Sequence, residues 1–121
     1  MAIDRNGPIQ MLNLVRLREF ADYGDGRRVT GAAAYATYGR EITPCLDAVG
    51  GKVVWSGQFE MTLIGPQDEV WDICFIVEYP SADAFMDMMR DPAYQQGMIH
   101  RQAAVQTSRL IRLNPEPDSG L

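Results

Sequence analysis

The chain is poor in the residues that most often announce a reaction: one histidine, one lysine and two cysteines among 121 residues. A single histidine excludes a two- or three-histidine metal site within one subunit, and neither HExxH nor EF-hand spacing occurs, so no metal is expected. Cys45 and Cys74 lie far apart without CxxC spacing and read as buried free thiols. Gly24-Asp25-Gly26 lacks the glycine spacing of a dinucleotide loop, and no nucleophile elbow is present, so neither a nucleotide cofactor nor a serine hydrolase triad has support. No cofactor is expected.

Long apolar runs are also missing. The longest, Ile73 to Val77, is far below the roughly 18 residues that a membrane helix needs. The N-terminal stretch meets Arg16 and Arg18 too soon to be a secretory leader, so a cytoplasmic location is the expectation. Positive charge is scarce as well. With a net charge of −5 and a pI near 4.7, general adhesion to nucleic acid or to an anionic membrane is disfavoured. The charge is uneven, with six basic and four acidic groups in 1–40 against two and ten in 41–100.

What is present is ordinary for a folded domain, 46% hydrophobic and 22% charged. The length fits one domain spanning 1–121, with a core over about 9–113 and a tail over 114–121. Ile9 to Leu17 alternates, but both of its combs are largely apolar, which predicts a strand covered on both faces. A polar loop follows over 19–30. Thr30 is a good N-cap for a helix from about Ala32 to Val49, with a kink expected at Pro44 and a stop at Gly50-Gly51. Lys52 to Ile64 alternates as a long strand, Gly65-Pro66 turns the chain, and Trp71 to Tyr79 forms the returning arm of a hairpin. Ser81 caps a second helix, Asp91-Pro92 restarts it to about Ala103, and Val105 to Leu113 is a fourth strand. Asn114 to Asp118 reads as a fraying tail.

The order βαββαβ is the α+β, ferredoxin-like arrangement, in which two helices cover one face of a four-stranded antiparallel sheet. The other face keeps an apolar comb with nothing of its own chain to bury it. A second copy meeting it sheet to sheet is the commonest solution, so a homodimer is expected.

The stretch Trp71 to Phe85, containing Glu78-Tyr79-Pro80-Ser81, together with Asp91-Pro92-Ala93-Tyr94, resembles domain-of-unknown-function family 1330. Gly50-Gly51-Lys52-Val53 and Arg101 to Ala104 fit the same pattern, and the resemblance extends over roughly residues 9–113. It implies a dimeric α/β barrel built from two ferredoxin-like subunits. The wider superfamily includes cofactor-free monooxygenases, isomerases and haem enzymes, but the family brings no assigned reaction and no catalytic residue.

Candidate chemistry therefore comes from the residues themselves. His100 and Arg101, late in the restarted helix, are the candidate catalytic pair. An imidazole moves a proton near neutrality, and a neighbouring guanidinium holds a carboxylate or enolate oxygen. Equally, His100 would serve as a helix-end residue and Arg101 as partner of a structural carboxylate. Asn13 is the polar member of an apolar comb, and its amide needs partners from the protein or from a ligand. Tyr35, Tyr38 and Trp55 would line a pocket for a planar molecule or serve as plain core aromatics. Glu78 would be a base or an arginine partner. Asp83, Asp87 and Asp91 share one helix face and read as a solvated stripe. Three readings remain open. One is a small-molecule enzyme of cofactor-free isomerase or monooxygenase type, acting on an organic acid or aromatic in the cleft between sheet and helices. Another is a homodimer that binds a small metabolite without changing it. The third is a structural or partner-binding dimer with no pocket.

Overall fold

The computed structural model describes residues 3 and 5–116. The chain runs β1 (Ile9–Leu17), α1 (Gly31–Ala48), β2 (Lys52–Gly57), β3 (Ile73–Tyr79), α2 (Ala82–Arg90), α3 (Pro92–Ala104) and β4 (Val105–Leu113). The strands form one antiparallel sheet in the order β2-β3-β1-β4, so the α+β, ferredoxin-like arrangement holds. Among the described residues no helix is long and apolar enough to cross a membrane.

Local chemistry sets the helix bounds. Thr30 Oγ1 accepts from the Ala33 amide at 3.0 Å, Ser81 Oγ from Ala84 at 3.1 Å, and Asp91 Oδ1 from Ala93 at 2.9 Å. Each cap satisfies an amide that has no intrahelical acceptor. At the far end of α1, Gly50 has φ +76° and its amide bonds Asp47 O, while Gly51 N reaches Leu46 O. This left-handed stop favours glycine. Pro44 does not break α1, which continues to Ala48.

The core lies between the sheet and the helix layer. Ile9, Met11, Val77 and Tyr79 from the inward combs of β1 and β3 meet Cys45, Met88 and Tyr94 from the helices. A smaller cluster of Ala21, Ala34, Ala103 and Ala104 clamps the 19–30 loop against the ends of α1 and α3. The loop is pinned there by Asp22 N to Ala103 O and Arg18 N to Ala104 O, both 2.8 Å.

The expected long hairpin is shorter than its alternation predicts. The β2–β3 ladder ends at Gly57↔Cys74, and residues 58–72 form no strand. That segment bonds to itself instead, Gln67 Nε2 to Thr62 O at 3.1 Å and Thr62 Oγ1 to Glu69 O at 3.3 Å. Leu63 and Ile64 are left 83% and 97% exposed. Alternation needs a partner strand to become a ladder, and none lies alongside. Trp71, expected at the start of β3, precedes it and packs under the Arg109 guanidinium, 5.4 Å from its ring centre. Residues 114–116 have no regular structure, and the rest of the expected tail lies outside the described residues.

Candidate functional site

The alternation of the strands and the 3.6-residue period of the helices bring two combs face to face. Met11 and Asn13 point from β1 to the helices, joined by Phe75, Val77 and Tyr79 from β3. Tyr35, Tyr38, Ile42 and Leu46 of α1 answer at helical spacing, as do Tyr94, Met98 and Arg101 of α3. Between them lies a cleft of about 420 Å³, within the size range of small-molecule sites.

Its walls are mainly apolar, and its polar groups are few. Arg101 Nη2 donates to Ser108 Oγ at 3.3 Å. Among the described residues no carboxylate lies within ion-pair distance of Arg101. Asn13 Nδ2 donates to Met11 O at 3.1 Å. Tyr38 and Tyr94 share a hydrogen bond between hydroxyls at 2.9 Å, and the Tyr35 and Tyr38 rings lie 5.3 Å apart.

Burial makes these phenols poor acids. The Tyr35 pKa is pushed up to about 12, chiefly by desolvation, with the Arg101 charge and hydrogen bond pulling the other way. Tyr38 is raised further, by desolvation and then by Tyr94, and Tyr79 also rises through burial. At neutral pH Tyr35, Tyr38 and Tyr79 therefore present neutral hydroxyls to the cleft beside the Arg101 guanidinium. Such a set receives negative charge and supplies none.

Of the residues singled out in the sequence, Asn13, Tyr35, Tyr38 and Arg101 line this cleft together. His100 does not. Successive helical residues are about 100° apart, so with Arg101 aimed inward, His100 turns to the flank of α3. There its Nε2 meets Glu41 Oε2 at 2.7 Å and its Nδ1 meets Tyr23 Oη at 2.6 Å. The Tyr23 ring in turn carries the Arg27 guanidinium 4.1 Å from its centre. Trp55 also lies elsewhere. Simple alternation would put it beside Val53, which lines the cleft, but a register shift between the two pairs Trp55 with Ile76 on the opposite face. Glu78 alternates with the inward Val77 and Tyr79, so it faces outward, accepting from Gln10 Nε2 at 3.1 Å with Lys52 Nζ at 3.9 Å.

Ser108, Phe85 and Met89 line the cleft without having been singled out. The inward comb of β4 would have found Ser108 once β1 was read as its neighbour. A wider, more open cavity of about 620 Å³ adjoins at Tyr35, bordered by Arg18, Glu19, Thr30 and Asp72. Among the described residues no group of three or more His, Cys, Asp or Glu is placed to hold a metal ion.

Comparison with known proteins agrees with this architecture. The profile of a family described as a domain of unknown function (DUF1330) matches residues 26–112. The crystal structure of RPA0582, a protein of unknown function from Rhodopseudomonas palustris, is similar at 62% identity and a TM-score of 0.90, over 95% of this chain and 87% of that one. SnoaB from Streptomyces nogalater, described as a cofactor-independent oxygenase, is 14% identical with a TM-score of 0.59, over 95% of this chain and 99% of its own. A protein of unknown function from Bacteroides fragilis, described as dimeric with a ferredoxin-like fold, is 14% identical with a TM-score of 0.54, over 89% and 96% of the two chains. At that identity the last two speak to the fold alone. No functionally curated protein matches the sequence.

Proposed function

The chain belongs to the DUF1330 family, a family that brings a fold and no reaction, and from that premise we propose that it is a homodimer whose subunits each bind a small organic anion in the cleft. The observation that carries this reading is Arg101, a half-buried guanidinium with Ser108 beside it, in a mainly apolar cavity that offers it no carboxylate. A cation in such surroundings is best satisfied by the anionic group of a ligand, while the tyrosine and phenylalanine rings take its apolar body. Dimerisation has separate support in the uncovered sheet face, where Leu12, Ile76 and Ile111 stand side by side.

Differential scanning fluorimetry with benzoate, phenylacetate and octanoate is the direct test. At least one is expected to raise the melting temperature in a saturable way, and Arg101→Met to remove the shift. No shift with any of the three would overturn the reading.

A second reading, cofactor-free turnover of the bound anion, is favoured by the Tyr38–Tyr94 hydroxyl pair. With Arg101 it forms a set of neutral and cationic donors suited to a developing enolate oxygen. A ligand recovered intact after prolonged aerobic incubation leaves binding alone. A changed one makes the protein an enzyme of isomerase or monooxygenase type.

A further inference from the structure

The cleft is polar at one end and apolar at the other, and the strand register fixes the direction. Ser108 pairs with Val15, and one step along the inward comb Asn13 pairs with Leu110 and Phe75. The next step brings Met11 between Val77 and Arg112, whose side chain does not line the cleft, and the next Ile9 opposite Tyr79. At roughly 3.3 Å per residue these three steps span about 20 Å. Arg101 bonds Ser108 and so marks the first level. The other end is bordered by the 9-residue helix α2, through Phe85, Met88 and Met89, with Tyr79 packed edge-on against Phe85 at 5.2 Å.

We propose that the cleft selects an elongated amphipathic carboxylate, bound with its head on Arg101 and its alkyl tail running inward to Met88 and Met89. This deepens the anion-binding reading and rests on it. Compact aromatic acids satisfy Arg101 but leave the inner end unfilled, and unfilled apolar walls forgo the contacts that a tail would make. Met11, Met88, Met89 and Met98 all border the cavity. Unbranched thioether side chains re-pack around a flexible chain more readily than around a fixed ring. The Tyr38–Tyr94 hydroxyl pair also lines the cavity, where a chain bearing an oxygen would gain a hydrogen bond.

The test is isothermal titration of the whole chain with butanoate, hexanoate, octanoate and decanoate, and with 1-octanol as the headless control. Affinity is expected to rise about fourfold per methylene until the inner end is filled. Octanol is expected to bind at least about tenfold more weakly than octanoate, and Arg101→Met to erase that difference. Met89→Trp, which fills the inner end, is expected to move the length optimum to shorter chains. Phe85→Trp repeats the measurement if that variant does not fold. Flat affinity from butanoate to decanoate, with Arg101 still required, overturns the tail assignment and leaves anion binding standing. An unmoved optimum in the folded tryptophan variant does the same. If no carboxylate binds, both readings fall together.

Discussion

Tyr23 Oη and His100 Nδ1 lie 2.6 Å apart, so the one imidazole of the chain joins the 19–30 loop to α3. Its other nitrogen is 2.7 Å from Glu41 on α1, which ties three segments through a single ring. With Nε2–H donating to the carboxylate, Nδ1 is left to accept from the tyrosine hydroxyl. The arrangement fixes a loop and does not face the cleft.

His100→Ala is therefore expected to cost stability rather than binding. Losing both half-buried hydrogen bonds should lower the unfolding free energy by about 1–3 kcal/mol. Urea denaturation measures that, and titration with octanoate should show affinity within about twofold of the parent, since His100 does not line the cleft. Loss of carboxylate binding in the folded variant would place His100 in the site after all.

Arg101 behaves in the opposite way. Arg101→Met keeps much of the stem volume and removes the charge, so the fold should persist while carboxylate affinity falls about 10- to 100-fold. Arg101→Lys should recover only part, because an ammonium is a point donor where guanidinium offers a planar fork. Calorimetric titration of the two variants with one carboxylate gives the comparison directly.

Why these two neighbours differ shows how far the sequence could be read. The caps at Thr30, Ser81 and Asp91 and the glycine stop after α1 were legible because each is a local contract between one side chain and the backbone beside it. The inward positions of Asn13, Tyr35, Tyr38 and Arg101 followed from period and strand order. What failed depended on context that no local pattern carries. The register shift after Val53 turns Trp55 to the opposite face, and one inserted residue reverses every later side chain in a strand. The alternation of 58–64 meets no partner strand. His100 and Arg101 are adjacent in sequence, and which of them reaches the cleft depends on how α3 is rotated against the sheet: Met88 and Met89, equally adjacent on α2, both line it.

Alkaline pH should unfold the protein through its tyrosines. The Tyr35 phenol, ordinarily near 10.0, is held at about 12 in the folded chain by burial. Between those values the unfolded chain loses a proton that the native chain retains, so stability is full below pH 10 and falls as pH climbs toward 12. Tyr38 and Tyr79, raised in the same direction, steepen the decline. Urea midpoints measured from pH 8.5 upward should drop beyond pH 10, and Tyr35→Phe should flatten the curve. A variant with the parent's slope would show that this phenol ionises freely in the native fold.

The uncovered sheet face gives the sharpest structural test. Cross-strand pairing sets Trp55 beside Ile76, Ile76 beside Leu12, and Leu12 beside Ile111, one apolar row across all four strands. At roughly 4.8 Å between strands the row is about 14 Å long. Trp55 remains 51% exposed, its ring folded over Gly57, where a Cβ would come within 2.7 Å of it. The next row toward the start of β1 holds Lys52, Glu78 and Gln10 bonded to one another, so the greasy strip has a polar border as interfaces do. Two such strips meeting about a two-fold axis would bury Leu12 near its own copy. Leu12→Glu then sets two carboxylates close together in an apolar layer, a cost that the strip cannot offset. Sedimentation equilibrium at micromolar concentration should find the parent chain dimeric and Leu12→Glu monomeric with its circular dichroism unchanged. A monomeric parent would leave this row facing water and remove the reason for the dimer.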